Sequence, residues 1–338
     1  MNKFLCGLFS CLAIFPTFGQ KTRIIDNKAI QFEITQNNDS INFIVVDTVL
    51  TQKKPVFLWC QGSRAYPLFV KNENGEIRML GGGISNFDVS NITKYYHLVV
   101  ISMPKTPVVA DEKDLTDFEY ISPNSEDRNE FFKADYLENY VERANVVLSF
   151  LQEQSWIDNS KLVVAGHSQG SKIAPRIAFR NKNVTHLGMF SPNPLGRIDQ
   201  FIRLARKNAE SGKITWEEAE KEMQEWYDLY KSANNPQEIE KNPSLISWKS
   251  FSEPQIDELV KIDIPIYLVY GTADVTSDFC DLVPLYFIRE NKNNLTLKRY
   301  FNLEHNFFEV DENGVPDWDK PHWVKVMNEF VKWTNEEF

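Results

Sequence analysis

The chain has 338 residues, 42% of them hydrophobic and 25% charged, with 37 basic against 47 acidic residues and a net charge of −10. That composition is globular and long enough for one large domain or two small ones. The acidic balance argues against nucleic acid and anionic membrane surfaces as partners, because both are held by a basic face.

Residues 1–19 carry Lys3, an apolar stretch from Phe4 to Phe15, Pro16, and the small residues Thr17 and Gly19. The pattern predicts a secretory signal peptide cleaved after Gly19 and a secreted or periplasmic mature chain. The alternatives are a retained anchor or lipidation at Cys11. LFSC is a poor lipidation signal, however, and the apolar run continues past it. Cleavage removes one lysine and no acid, leaving a net charge of −11. No later apolar run reaches the 18 residues of a membrane span. Cys60 and Cys280 remain, and read as small buried apolar residues rather than as a disulfide.

Residues 23–35 and 40–47 (SINFIVVD) read as strands rich in Ile, Val and Phe. PVFLWC (55–60), LVVISM (98–103), KLVVAG (161–166), THLGMFS (185–191), IPIYLVYG (264–271) and NLTLKRYF (294–301) are short apolar runs, the pattern of strands buried on both faces. Helical patterns lie between several of them, at 136–154, 277–291 and 321–338. The alternation predicts an α/β fold with a mostly parallel sheet covered by helices on both faces. Residues 104–135 read as a polar loop. Residues 196–260 show helices and no strand, and read as a cap inserted into a core of 20–195 and 261–338. Within the insertion, Thr215 and Glu218 form a capping box.

The stretch Gly166-His167-Ser168-Gln169-Gly170 falls where the strand VVAG meets the helix SKIA. A serine at so sharp a turn is strained, with its hydroxyl exposed above the sheet. The residues two before and two after it approach closely, which favours glycine. The helix N-terminus and the Gln169 N–H face a developing oxyanion. Pro175, two turns into this helix, is expected to kink it.

A serine nucleophile needs a base, and the base needs an acid to orient it. Of the five histidines, His305 sits in FNLEHNFF, a loop after the last strand. Asp274 stands in VYGTADVTS, directly after a hydrophobic strand, with Asp278 and Asp281 as fallbacks. The order Ser168, Asp274, His305, with the turn around Ser168, resembles the α/β-hydrolase superfamily over nearly the whole mature chain. The resemblance implies a serine hydrolase without metal or organic cofactor. Neither HExxH nor a CxxC pair is present, and DENG (311–314) reads as a turn.

The resemblance also implies a second oxyanion donor in the loop after the strand PVFLWC. There Gln61-Gly62-Ser63 takes the place of the usual His-Gly-x, making the Ser63 N–H the donor beside Gln169. Gly81-Gly82-Gly83 reads as a flexible turn. Arg64 is a candidate fork for a substrate carboxylate, or else pairs with a local acid. Trp226, Tyr230 and Trp248 in the insertion are candidates for an apolar acyl pocket. The expected partner is a small-molecule acyl substrate, and the expected reaction is cleavage of a carboxylic ester through an acyl-enzyme on Ser168. The competing readings are a serine peptidase or aminopeptidase of the same fold, and a non-catalytic ligand-binding protein on the hydrolase scaffold.

Overall fold

A computed structural model describes residues 20–36 and 39–336; residues 1–19, with the expected signal peptide, lie outside the described residues. The centre is a nine-stranded sheet. Gln20–Ile25, Ala29–Gln36 and Asp39–Val45 pair antiparallel in sequence, and Asp39–Val45 pairs antiparallel with His97–Ile101. From there the strands run parallel in the order His97–Ile101, Lys54–Cys60, Ile157–His167, His186–Phe190, Ile266–Gly271, Leu295–Tyr300.

The parallel strands are continuously apolar because both faces are covered. Side chains alternate across a strand, so each strand feeds two cores. Val56 and Leu58 join one core with Val141, Leu148 and Ile177 from the helices Leu137–Gln152 and Gly170–Arg180. Phe57 and Trp59 join the other with Met327 and Phe330 of the C-terminal helix Trp323–Thr334. Helix Gly170–Arg180 runs as one element through Pro175. Ile173, Ala174, Ile177 and Ala178 are buried around the proline, and that packing outweighs the lost helix bond.

Two segments differ from the sequence reading. The expected strand 23–35 is a hairpin: Asp26 and Asn27 take φ of 47° and 49°, the two left-handed residues of a tight turn, and Lys28 N–H donates to the Ile25 carbonyl at 2.9 Å. The expected loop 104–135 holds strand Val109–Asp111, paired with Phe69–Lys71, and helix Ser125–Ala134, started by the Asn124 side chain accepting from Glu126 N–H.

Between the strands His186–Phe190 and Ile266–Gly271 the chain forms helices Arg197–Glu210, Trp216–Ala233, Pro236–Lys241, Leu245–Ser250 and Ile256–Leu259. Helix Trp216–Ala233 starts on a reciprocal pair of bonds, Glu218 N–H to Thr215 Oγ1 at 3.1 Å and Thr215 N–H to Glu218 Oε2 at 2.8 Å. No helix among the described residues is long and apolar enough to cross a membrane. Cys60 and Cys280 are buried and unbridged.

Candidate active site

Ser168 follows the central strand Ile157–His167 and precedes helix Gly170–Arg180. Its φ is 55°, a left-handed value that a non-glycine residue adopts only under constraint. The neighbouring glycines explain the constraint. A Cβ on Gly166 would run into the Gly170 carbonyl, and a Cβ on Gly170 into the Cys60 carbonyl. Both obstacles are backbone, so neither can swing aside. Gly170→Ala is therefore expected to destabilise the fold by at least about 2 kcal/mol, read as a lower urea midpoint.

The strand ends bring two distant side chains to this serine. Asp274 follows Ile266–Gly271, and His305 lies beyond Leu295–Tyr300. Ser168 Oγ is 3.0 Å from His305 Nε2, and His305 Nδ1 is 2.9 Å from Asp274 Oδ2. Asp274 is buried but well solvated by protein. It accepts from Ser277 Oγ at 2.6 Å, Thr276 Oγ1 at 2.7 Å and Thr276 N–H at 2.9 Å. Burial alone would raise its pKa, but His305 and these hydroxyls outweigh burial and hold the carboxyl well below the usual range. Burial likewise disfavours a charged His305, yet Asp274 more than offsets it and raises the imidazole above its ordinary value.

The fallback acids serve elsewhere. Asp278 pairs with Arg203 and Lys207, and Asp281 with Tyr270 and Arg299. Two residues that sequence reasoning did not assign hold the histidine loop. His167 Nε2 and Ser191 Oγ both lie 2.8 Å from the His305 carbonyl. Burial, with His305 second, lowers His167 to about 3, so its Nε2 is the donor of a neutral ring. The only signal for His167 was its place inside the turn, and Ser191 had none.

Gly62 lies against the Ser168 side chain, and Ser63 and Gln169 border the same space. Among the described residues neither the Ser63 nor the Gln169 N–H donates to another group. Gln61, in the place of the usual histidine, turns inward, and its Nε2 donates to the Ile101 carbonyl. The triple glycine is no flexible turn. All three residues have positive φ, Trp59 Nε1 donates to the Gly82 carbonyl at 3.1 Å, and a Cβ on Gly82 would strike the Gln61 side chain. The loop is packed on Gln61 and forms a wall of the site.

Two cavities meet at Ser168. The larger, about 540 Å³, is aromatic, with Tyr66, Phe87, Phe308, Trp318 and Trp323 along its sides. Arg64 borders it but is not an open fork: its Nε is 3.0 Å from Glu119 Oε1, and Nη1 is 3.2 Å from the Tyr66 hydroxyl. The smaller, about 250 Å³, runs under the helical insertion between Lys172, Arg197, Gln200, Phe201 and Trp248. Of the three aromatic candidates, only Trp248 borders this cavity. Trp226 stacks behind it, with its ring centroid 4.2 Å from Phe201. Tyr230 is exposed and borders neither cavity.

No family model and no curated protein sequence matches the chain. Solved structures do. An acetyl xylan esterase from Paenibacillus sp. R4 superposes with a TM-score of 0.52 at 12% identity, covering 94% of this chain and 89% of the other. MGS-M2, described as an alpha/beta hydrolase enzyme from a Medee basin deep-sea metagenome library, superposes with a TM-score of 0.50 at 14% identity, covering 90% and 98%. The chain has the α/β-hydrolase fold. It spans 63% of the length of another match, a 2,6-dihydroxy-pseudo-oxynicotine hydrolase, at a TM-score of 0.48 and 13% identity. Within this α/β-hydrolase fold the strand carrying Ser168 has parallel neighbours on both sides, and the helical insertion enters after the next strand. Ser63, Ser168, Asp274 and His305 all follow C-terminal strand ends, the edge where open α/β sheets bind ligands.

Proposed function

We propose that the chain is a serine hydrolase that cleaves a carboxylic ester through an acyl-enzyme on Ser168. The observation that carries the reading is the unbroken chain of contacts from Ser168 Oγ through both ring nitrogens of His305 to Asp274. His305 Nε2 takes the serine proton as Oγ attacks the carbonyl carbon. The negative charge that develops on the carbonyl oxygen is met by the N–H groups of Ser63 and Gln169. His305 then gives its proton to the leaving oxygen, a water repeats the sequence in reverse roles, and the acid leaves. Asp274 holds the Nδ1–H tautomer and offsets the charge of the imidazolium. No step calls for a metal or organic cofactor.

The esterase reading accords with the esterase named among the structures of this fold. At 12% identity that likeness is one of fold alone, so the substrate is argued from the cavities. The aromatic cavity suits an apolar or ring-bearing portion of the substrate, packed on Trp318 and Trp323. Secretion by way of residues 1–19 belongs to the same proposal, and is tested by N-terminal sequencing of the protein exported from its source cell. The result expected is a start at Gln20.

The pH profile tests the base. Only neutral His305 accepts the serine proton. Because Asp274 raises the histidine pKa, the ring stays protonated to a higher pH than a free histidine. The kcat/KM of the wild type is thus expected to rise with pH along a single acid limb whose midpoint lies above the ordinary histidine value of about 6.5. A profile flat from pH 5 to 9 would contradict this.

A further inference from the structure

The interior of this molecule treats its arginines consistently, with one exception. Arg143 pairs with Asp39, Arg176 with Glu138 and Glu258, and Arg203 with Asp199 and Asp278. Arg197 forms no ion pair with any carboxylate of the described residues. Its guanidinium lies over the Phe251 ring at 4.6 Å and beside Trp248 at 5.6 Å. It donates to Ser247 Oγ at 3.0 Å and to the Gln169 side-chain carbonyl. Neutral acceptors and aromatic faces thus position the fork without neutralising it.

Lys172 stands in the same wall. It is 5% exposed, and its Nζ donates to the Asn193 carbonyl at 2.9 Å. It too has no ion pair among the described residues. Both cations border the 250 Å³ cavity that reaches Ser168 and His305, and no aspartate or glutamate borders it. A chain of net charge −10 has therefore placed two cations without ion pairs beside its nucleophile, with Asp135 and Asp199 acting on Arg197 and Lys172 only from beyond ion-pair distance. Leaving such charges buried and unpaired is costly, and the cost is offset if a bound anion completes them. Burial pulls Lys172 down to about 7, and an incoming anion would restore its charge.

We propose that the cavity under the helical insertion is a carboxylate subsite, in which Arg197 and Lys172 bind an anionic group of the ester substrate. The inference rests on the hydrolase reading above and narrows it: the substrate is an ester with a carboxylate on one side of the scissile bond and a bulkier portion in the aromatic cavity. Phe201 and Trp248 flank the short carbon chain between carboxylate and ester. With one N–H of Nη1 and one of Nη2 given to Ser247 and Gln169, the Arg197 guanidinium keeps three N–H groups for a carboxylate, and Lys172 adds a point charge. The fork expected at Arg64 is thus assigned to Arg197, in the other of the two cavities that meet at Ser168.

The test compares matched esters: 4-nitrophenyl hydrogen adipate against 4-nitrophenyl hexanoate, and 4-carboxyphenyl acetate against phenyl acetate. In at least one pair the wild type is expected to favour the anion by about tenfold or more in kcat/KM. Arg197→Gln should collapse that ratio, Lys172→Gln should reduce it, and Arg197→Lys should recover part of it. No preference in either pair, or equal loss on both members of a pair in Arg197→Gln, overturns the subsite. Thermal melts followed by circular dichroism establish that each variant is folded. Calorimetric titration of Ser168→Ala with the two anionic esters reads binding without turnover. Binding that disappears when Arg197→Gln is added supports the subsite even if no ester is cleaved, and absence of binding to Ser168→Ala overturns it. A wild type that binds the anions but cleaves nothing would instead refute the hydrolase reading.

Discussion

Ser168→Ala is expected to lower kcat for 4-nitrophenyl esters by at least about a thousandfold, with KM nearly unchanged. The split follows from the geometry. Ser168 borders both cavities, but losing one hydroxyl leaves the aromatic walls and the insertion in place, so substrate still binds between them. What disappears is the oxygen that His305 Nε2 reaches at 3.0 Å. Alanine retains the small side chain that the strained turn accepts, so the fold is expected to persist. The residual rate is that of a water held near the Ser63 and Gln169 N–H groups. Steady-state kinetics on the two purified proteins decide it. A variant within tenfold of wild type would mean that the nucleophile lies elsewhere.

The second large effect is expected at Asp274. Asp274→Asn keeps the size and leaves its oxygen at the Oδ1 place, where the Thr276 hydroxyl and N–H donate at 2.7 and 2.9 Å, so the amide nitrogen takes the Oδ2 place beside Ser277 Oγ and His305. An amide nitrogen facing His305 Nδ1 is itself a donor, however. The ring then turns its Nδ1 lone pair toward the new amide and its proton toward Ser168, the wrong tautomer for a base. The kcat is expected to fall by about a thousand- to ten-thousandfold. The acid limb of the residual activity should also shift to lower pH, because the carboxylate that raised His305 is gone. A simple loss of packing would lower the rate without moving that midpoint, so the pH profile separates the two causes.

The site was legible to different depths. Ser168, Asp274 and His305 each stand just beyond an apolar strand, in loops whose neighbours (the two glycines, Gly271-Thr272, the turn after Tyr300) announce a change of direction. Local sequence carries such signals. Arg197 is the contrary case. In PLGRIDQF it looks like an ordinary first residue of a helix, and its meaning comes from Phe251, Trp248 and Ser247, some fifty residues later. The same holds for Arg64, whose partner Glu119 lies in a segment read as loop. Helix Ser125–Ala134 escaped because it buries none of its residues and so shows no apolar stripe, although Asn124 and the acids after it mark a helix start. Of the aromatic candidates on helix Trp216–Ala233, Trp226 packs on Phe201 whereas Tyr230 is exposed, a difference that helical spacing alone does not reveal. In sequence, Gly81–Gly83 reads as a flexible turn because glycine permits many conformations. Here the constraint is Gln61, which leaves no room for a side chain on Gly82.

The account turns on whether Ser168 is chemically activated by its neighbours. Peptide mass mapping of the folded wild-type chain after brief exposure to a fluorophosphonate at neutral pH addresses that directly. The expected result is a single phosphonyl adduct on Ser168, formed at least about a hundredfold more slowly when His305 is replaced by alanine. An unmodified Ser168, or labelling at the same rate without His305, would contradict it.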